Sequence, residues 1–321
     1  MNYRRFGRLG WQVAEVGFGT WGMGGWSGSD DEQSRAALRR GLELGCNFLD
    51  TALAYGDGRS ERLIREVLAD WTGDRPIIAT KIPPKNGRWP ARPTTPLDAA
   101  YPPDYIREIT ERSLKNLGVS QIDLQQFHVW TDAWADDDRF VRAAAALKKE
   151  GLVKGIGISV NRWEPTNVIK ALRTGVVDAV QVVYNIFDQA PEDELFPVCR
   201  ELDIAIIARV PFDEGSLTGT MTPNDTWPQS DWRNLYFTPT NLRDTLARVE
   251  RVKADLPAGT EIADVALRFT LHDAAVSTVI PGMRTTAHVD RNLAAGDGKR
   301  LPGPLLELLR GHRWDRTTVI P

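Results

Sequence analysis

The chain has 321 residues, of which 42% are hydrophobic and 26% are charged, and its formal net charge at pH 7 is −3. This composition excludes a disordered chain, a fibrous repeat and a small disulfide scaffold. The charge balance provides no basic surface of the kind that nucleic acids or anionic membranes attract, so neither is expected as a partner.

The N-terminus, the length of the apolar runs and the two cysteines indicate where the protein is located and whether it binds a metal. The N-terminus reads MNYRRFGRLG, without the apolar core of a signal peptide, and no apolar run reaches the about 18 residues of a membrane span. Cys46 and Cys199 are far apart and match no metal-ligand spacing. We therefore expect a cytoplasmic protein without a metal centre.

Residues 1–12 predict a hairpin. After them, short apolar runs rich in β-branched residues recur along the chain. Several runs are apolar on both faces, which is typical of buried parallel strands. The runs predict eight strands, at residues 13–20, 47–51, 76–81, 122–128, 153–159, 178–184, 204–210 and 276–281.

Helical periodicity fills the segments between these strands. Ser29-Asp30-Asp31-Glu32 predicts a capping box that opens the first helix, and Gly45 predicts its end. Further helices are predicted at residues 63–71, 106–117, 140–147, 168–172, 195–202, 242–256 and 262–269, with extra helices at 287–295 and 304–312.

The alternation of eight strands and eight helices over about 270 residues predicts an α/β fold, a (β/α)8 TIM barrel, with one domain over 1–321. A doubly wound open sheet is the alternative. The barrel is favoured because the composition shows no break and the strand-to-helix loops are long, including 83–103 and 213–239. In a barrel these loops all lie at one end.

A glycine-rich segment directly after the first predicted strand imitates a dinucleotide fingerprint. Residues 17–22 read GFGTWG and match GxGxxG. In a Rossmann unit the third glycine opens a helix, whereas MGGWSGSD follows here. We interpret the segment as a flexible loop, lined by Trp21 and Trp26, over a pocket.

Four polar residues have positions that predict chemistry. Asp50, Lys81 and His128 end the second, third and fourth predicted strands, and Tyr55 follows Asp50 by five residues. Each alone fits a structural role, as a strand-end cap, a solvated end, a structural histidine or a packed aromatic. Together they would converge at one mouth of a barrel, because the carboxyl ends of its strands meet there.

The chemistry of this group is that of proton donation to a carbonyl. A neighbouring ammonium lowers the pKa of a tyrosine, and a carboxylate balances that ammonium. A neutral imidazole can orient a carbonyl that receives a hydride. A hydrolase is disfavoured, because no Ser or Cys is paired with a base and no GxSxG is present.

Longer motifs surround these residues. Residues 47–52 read NFLDTA, 60–62 read SER and 151–159 read GLVKGIGIS, and later segments read YN at 184–185, GSLTG at 215–219 and IPG at 280–282. Their order over essentially the whole chain closely resembles the aldo-keto reductase family.

The resemblance implies a (β/α)8 barrel that reduces aldehyde or ketone carbonyls with NADPH, NADH being the second choice. In this family Tyr55 would be the general acid, Lys81 would lower its pKa, Asp50 would pair with Lys81, and His128 would orient the carbonyl. An oxidoreductase acting on a small-molecule carbonyl is therefore expected.

The resemblance also implies an extended cofactor across the barrel mouth. Ser159, Asn161 and Gln181 would surround the nicotinamide carboxamide, the backbone of 212–219 would wrap the pyrophosphate, and Arg284 would bind the 2′-phosphate. The expected cofactor residues are Gly19, Thr20, Trp21, Asp50, Ser159, Asn161, Gln181, Arg209, Pro211, Phe212, Glu214, Gly215, Ser216, Leu217, Gly219, Gly282, Arg284, His288 and Asn292.

The chain departs from the family pattern at several of these positions. Arg209 stands at the end of the seventh strand, where many members have an aromatic residue stacked on the nicotinamide; a planar guanidinium can stack as well. Val160 separates Ser159 from Asn161, which are often adjacent. His288 stands where Arg or Gln often contacts the adenosine phosphate.

Tryptophan is concentrated in the predicted strand-to-helix loops. Seven of the 11 tryptophans lie there, which predicts an aromatic-walled pocket for apolar or aromatic carbonyls. The expected substrate-binding residues are Trp21, Trp26, Tyr55, Trp89, His128 and Trp130. Trp130, two residues after His128, is expected to make the most direct contact.

Two other functions remain as alternatives. One is a non-catalytic NADPH-binding sensor on the same barrel, like the potassium-channel β subunits that resemble this family. The other is an unrelated barrel lyase or hydrolase, which would need a phosphate grip or metal ligands. The four intact catalytic residues favour the reductase.

Overall fold

The chain begins with an antiparallel hairpin, β1 (Tyr3–Phe6) and β2 (Trp11–Ala14), in the computed structural model, which describes residues 1–26, 28–229 and 231–316. Phe6 and Val13 of the hairpin are fully buried in the same apolar cluster as Phe48 and Leu124 of the central sheet. The hairpin that the sequence predicts therefore closes the amino-terminal end of that sheet.

Eight parallel strands follow and form one sheet in chain order. They are β3 (Phe18–Gly19), β4 (Phe48–Asp50), β5 (Ile77–Ile82), β6 (Ile122–Phe127), β7 (Val153–Ser159), β8 (Ala179–Val183), β9 (Ala205–Arg209) and β10 (Val276–Val279). Parallel bridges from Val16 to Val279 and from Gly19 to Gly282 join the two edges of the sheet. The predicted (β/α)8 barrel is confirmed, and the open-sheet alternative is wrong because the first strand pairs with the last.

Helices cover the outside of the sheet. They are α1 (Asp31–Glu43), α2 (Arg59–Ala69), α3 (Leu97–Ala100), α4 (Pro103–Leu117), α5 (Asp138–Lys149), α6 (Ile169–Arg173), α7 (Leu195–Glu201), α8 (Arg233–Tyr236), α9 (Pro239–Asp255), α10 (Ile262–Thr270), α11 (Thr286–Ala294) and α12 (Gly303–Arg310). Both α9 and α10 precede β10, so the helix that follows the last strand is α11, which was predicted as an extra helix. The prediction of one domain over 1–321 stays a prediction, and its last residues, 317–321, lie outside the described part.

The start of α1 corrects one detail of the sequence analysis. The N-cap is Asp30 and not Ser29, because the Asp30 carboxylate accepts a hydrogen bond of 2.7 Å from the backbone N–H of Gln33. A carboxylate at this position satisfies one of the unpaired N–H groups of the first turn. The helix ends at Glu43, and Gly45 follows with a φ of +87°, a conformation that glycine adopts easily.

Within the described residues, no helix has both the length and the apolar character that crossing a bilayer requires.

One buried polar side chain on β6 is poorly matched to its surroundings. Gln125 is 1% exposed, and neither its amide nitrogen nor its amide oxygen has a hydrogen-bond partner among the described residues. An unpaired buried polar group costs about 1–3 kcal/mol of stability. The barrel therefore carries a local destabilising feature at this position.

We expect Gln125→Met to raise the free energy of unfolding by about 1 kcal/mol, because methionine has a similar length and no polar amide to desolvate. Urea unfolding measures the change. Gln121→Met is the matched control and should not stabilise, because Gln121 Nε2 donates a hydrogen bond of 2.8 Å to the Gly151 carbonyl. Equal destabilisation by both substitutions would contradict the interpretation.

Candidate functional site

A buried ion pair lies at the carboxyl ends of β4 and β5. Lys81 Nζ is 2.5 Å from Asp50 Oδ1 and donates a second hydrogen bond of 2.8 Å to the Thr51 carbonyl. Lys81 is 0% exposed and Asp50 is 2% exposed. The paired strands bring the two residues together, because Asp50 lies opposite Ala79, two residues before Lys81.

Two glutamines hold the other carboxylate oxygen of Asp50. Gln126 Nε2 and Gln181 Nε2 donate hydrogen bonds of 3.1 and 2.7 Å to Asp50 Oδ2. The sequence analysis missed Gln126, although it lies two residues before His128 and strand periodicity places both on the same face. The carboxylate is thus fixed from several sides and oriented toward Lys81.

Tyr55 reaches the ion pair from the loop between β4 and α2. Its hydroxyl is 3.5 Å from Lys81 Nζ, and the ammonium also lies 5.1 Å from the centre of the phenol ring. Burial raises the pKa of Tyr55 above its usual value, and this effect outweighs the lowering that the Lys81 charge causes. Lys81 thus lowers the pKa of Tyr55 as predicted, but burial outweighs this effect, so the phenol stays protonated at neutral pH.

His128 follows β6 and stands beside Tyr55, with 5.8 Å between the ring centres. Burial, and then the charges of Lys81 and Arg209, hold its pKa well below the usual value, so the imidazole is neutral at pH 7. Its Nδ1 atom has no hydrogen-bond partner among the described residues. A neutral ring with an unused nitrogen can bind a polar ligand atom.

Three tryptophans stand around these two rings. Trp26 lies 5.2 Å from Trp21 and 6.1 Å from Tyr55, measured between ring centres. Trp89 meets the His128 ring edge-on at 4.4 Å and is 44% exposed. The glycine-rich loop and the 83–103 loop thus supply aromatic walls beside Tyr55 and His128.

Trp130 has a different environment from the predicted one. It is 0% exposed and packs against Phe127, Trp134 and Phe140, with ring centres 4.8 to 5.7 Å apart. Its indole Nε1 donates to Asp132 Oδ1 at 3.2 Å. The expected direct contact with substrate is corrected, because a side chain without exposed surface has no face to offer a ligand.

A buried carboxylate, that of Asp213, holds the predicted pyrophosphate loop in place. Asp213 is 0% exposed, and it accepts hydrogen bonds from Ser216 Oγ at 2.8 Å, Tyr236 OH at 2.5 Å and Arg316 Nη1 at 2.8 Å. The backbone here is left-handed at Asp213, Glu214 and Gly215, with φ of 44°, 57° and 108°. The sequence analysis missed Asp213 and Arg316, since nothing local to either residue signals the contact.

The first and last loops of the barrel adjoin each other. A Cβ on Gly19 would lie 2.8 Å from the Ile280 carbonyl oxygen, and one on Gly22 would lie 2.9 Å from Arg284 Cγ. The atom near Gly19 belongs to the backbone, so only glycine fits there, whereas the atom near Gly22 belongs to the Arg284 side chain. Arg284 therefore stands half-buried beside the glycine-rich loop.

Thr20 makes a structural contact in the same region. It is buried, and its Oγ1 donates a hydrogen bond of 2.9 Å to the Asp50 carbonyl. The side chain thus supports the end of β4.

Two of the predicted nicotinamide residues lie on strands: Ser159 is the last residue of β7, and Gln181 is in the middle of β8. Ser159 and Gln181 face each other across these strands, and Asn161 follows in the next loop. The Asn161 amide nitrogen donates to the Ala91 carbonyl and to Glu164, both at 3.0 Å, whereas its buried Oδ1 has no partner among the described residues.

The remaining predicted cofactor positions also lie in the loops or the helix beyond the strand ends. On α11, Asn292 is buried and His288 is exposed. Pro211, Ser216 and Leu217 are buried, Phe212, Glu214, Gly215 and Gly219 are partly exposed, and Gly282 is exposed.

The polar atoms left unpaired here fit a dinucleotide better than a metal ion. His128 Nδ1, Asn161 Oδ1 and Arg209 Nε are buried without a partner among the described residues, and they follow or end strands at the same mouth. A carboxamide and a phosphate chain offer donors and acceptors for such atoms. In the described ranges, no set of three His, Cys, Asp or Glu side chains could hold a metal.

Comparisons with known proteins agree with this fold. Residues 15–302 match the model of the aldo/keto reductase family. The chain is 30% identical to the uncharacterised oxidoreductase YqkF of Bacillus subtilis over 97% of this chain and 96% of that protein. It is 26% identical to an NADH-specific methylglyoxal reductase of Escherichia coli over 88% of this chain and 90% of the relative.

A solved structure gives the same result. The holo form of aldo-keto reductase AKR11C1 from Bacillus halodurans superposes with a TM-score of 0.78 at 25% identity, over 99% of this chain and 98% of the other. The family match spans most of the chain, and the solved structure has the same fold. At the mouth of this barrel Asp50 and Lys81 are buried, and Tyr55 and His128 are partly exposed. The chain belongs to the aldo/keto reductase family.

Proposed function

We propose that this protein reduces aldehyde or ketone carbonyls to alcohols, with NADPH as the hydride donor. The observation that carries the proposal is the Tyr55 hydroxyl, 3.5 Å from an Lys81 ammonium that is itself paired with Asp50 at 2.5 Å. A phenol beside a fixed cation is suited to give up its proton to a developing alkoxide.

The residues of the chain divide the work as follows. Tyr55 donates its proton to the carbonyl oxygen, and the charge of Lys81 stabilises the phenolate that remains. Asp50 balances the charge of Lys81 and holds it in position, and neutral His128 orients the carbonyl by a hydrogen bond. The bound nicotinamide supplies the hydride.

The mouth offers groups for each part of the cofactor. Ser159, Asn161 and Gln181 would hold the carboxamide end, and the left-handed loop 212–219 would place backbone N–H groups on the pyrophosphate. Arg284 would bind the 2′-phosphate through its planar guanidinium, which favours NADPH over NADH. The backbone of the glycine-rich loop would lie between these two ends.

The substrate is a small carbonyl compound with an apolar or aromatic body. The observation behind this is the set of aromatic walls that Trp21, Trp26 and Trp89 form next to Tyr55 and His128. Flat, apolar walls bind planar or hydrophobic groups through burial of their surface.

We expect Tyr55→Phe to lower carbonyl reduction by about 100-fold or more, because a positioned general acid contributes about that factor. Steady-state assays with a panel of aldehydes and ketones measure the loss, and NADPH affinity should change little. Tyr3→Phe is the control, since the Tyr3 hydroxyl bonds to the Gly45 carbonyl on the hairpin side. Activity within a few-fold of wild type would show that Tyr55 is not the acid. NADPH binding without turnover of any carbonyl would favour the sensor function.

The rate of reduction should be nearly flat between about pH 6 and 9. Burial raises the pKa of Tyr55 above its usual value, so the acid stays protonated as the pH rises. The pKa of His128 lies well below its usual value, so the imidazole stays neutral as the pH falls. A pH profile of kcat/KM checks this, and a titration centred near pH 7 or 8 would contradict it.

Arg284→Ala should weaken NADPH binding by about tenfold or more and NADH binding by much less, because only NADPH carries the phosphate that the guanidinium would bind. Quenching of tryptophan fluorescence measures both affinities. Arg107→Ala removes the same charge from the exposed face of α4, where Arg107 pairs with Glu150, and should alter neither. Equal weakening of NADPH and NADH would exclude the phosphate role.

A further inference from the structure

Arg209 places a positive charge at the floor of the barrel mouth. It is the last residue of β9 and lies opposite Val183, two residues beyond Gln181 on the neighbouring strand. Arg209 Nη2 donates a hydrogen bond of 2.9 Å to the Val160 carbonyl, and its buried Nε has no partner among the described residues. The guanidinium is thus held in place by the end of β7.

The other cations nearby are matched by carboxylates, and Arg209 is not. Lys81 pairs with Asp50, and Arg162 pairs with Glu214. Within the described residues Arg209 makes no ion pair of its own. Burial and the neighbouring Arg162 lower the pKa of Arg209 to about 10, so the guanidinium remains charged at neutral pH. Of these three cations, Arg209 is therefore the one without a carboxylate partner.

This charge acts on the reacting groups. It contributes to lowering the pKa of both Tyr55 and His128, so it lies within effective electrostatic range of both. In the proposed reaction Tyr55 and His128 bind the carbonyl oxygen. A hydride donor must approach the carbonyl carbon to about 3–3.5 Å. A nicotinamide ring in a productive position therefore lies in the field of Arg209.

We propose that Arg209 makes the protein bind the reduced dinucleotide more tightly than the oxidised one, and so determines which oxidation state of the cofactor occupies the site. Loss of a hydride converts the neutral dihydronicotinamide ring to a cation, and two like charges in a partly buried site repel each other. This inference rests on the proposed function. Its consequence is that the oxidised cofactor leaves readily and inhibits weakly.

Binding titrations of both oxidation states test the proposal without requiring turnover. Wild-type protein should bind NADP+ at least about tenfold more weakly than NADPH. Arg209→Lys, which keeps the charge, should preserve this ratio. Arg209→Gln and Arg209→Met should bring the two affinities to within about threefold, mainly through tighter NADP+ binding.

Arg284→Ala is the matched control for charge loss at the same mouth. Both oxidation states carry the same 2′-phosphate, so this substitution should weaken NADP+ and NADPH by the same factor and leave their ratio unchanged. Equal affinity of wild type for the two forms, or a ratio that survives in both neutral Arg209 variants, overturns this inference alone. Failure of both forms to bind wild-type protein overturns the proposed function as well, so the two failures are distinguishable.

Discussion

The ammonium of Lys81 is fully buried, and the arrangement of the barrel mouth follows from the need to balance its charge. Removing such a group from water costs several kcal/mol, and the cost is offset only by a well-placed partner with its remaining lone pairs satisfied. Asp50 supplies that partner, Gln126 and Gln181 satisfy its other oxygen, and the Thr51 carbonyl accepts a second hydrogen bond from Lys81. In the proposed reaction this set stabilises the charge that Tyr55 acquires when it gives up its proton.

Closure of the sheet provides the geometry for this arrangement. Side chains from successive parallel strands converge at one end of a barrel, and the bridge from Val16 to Val279 completes the ring. The hairpin fills the opposite end with Phe6 and Val13. Polar groups are thus collected at one end and apolar groups at the other, so the ion pair has an apolar base beneath it.

A second buried carboxylate, Asp213, organises the loop beyond β9. It joins Ser216, Tyr236 and Arg316 and lies in a left-handed stretch of backbone that is unfavourable for residues other than glycine. The surrounding hydrogen bonds hold that conformation. Asp50 beneath the catalytic group and Asp213 beneath the loop are therefore comparable: each is a buried acid whose partners come from separate elements.

The sequence alone determined the eight strands, the hairpin and the meeting of Asp50, Lys81 and His128. These features can be predicted because strand periodicity is a local property of the sequence. In a parallel barrel, strands that follow one another along the chain also lie next to one another in the sheet. The same periodicity could have identified Gln126 from its spacing to His128.

Tertiary structure alone decided the rest. Trp130 lies inside the aromatic cluster because of how Phe127 and Phe140 pack, and its proximity to His128 in sequence carries no information about that. Arg316 contacts Asp213 across 103 residues of chain. Burial raises the pKa of Tyr55, whereas the charge of Lys81 lowers it. The extent of that burial depends on every element around the mouth of the barrel. Such properties arise from three-dimensional packing and desolvation. Both depend on many residues that are far apart in the sequence and share no local pattern.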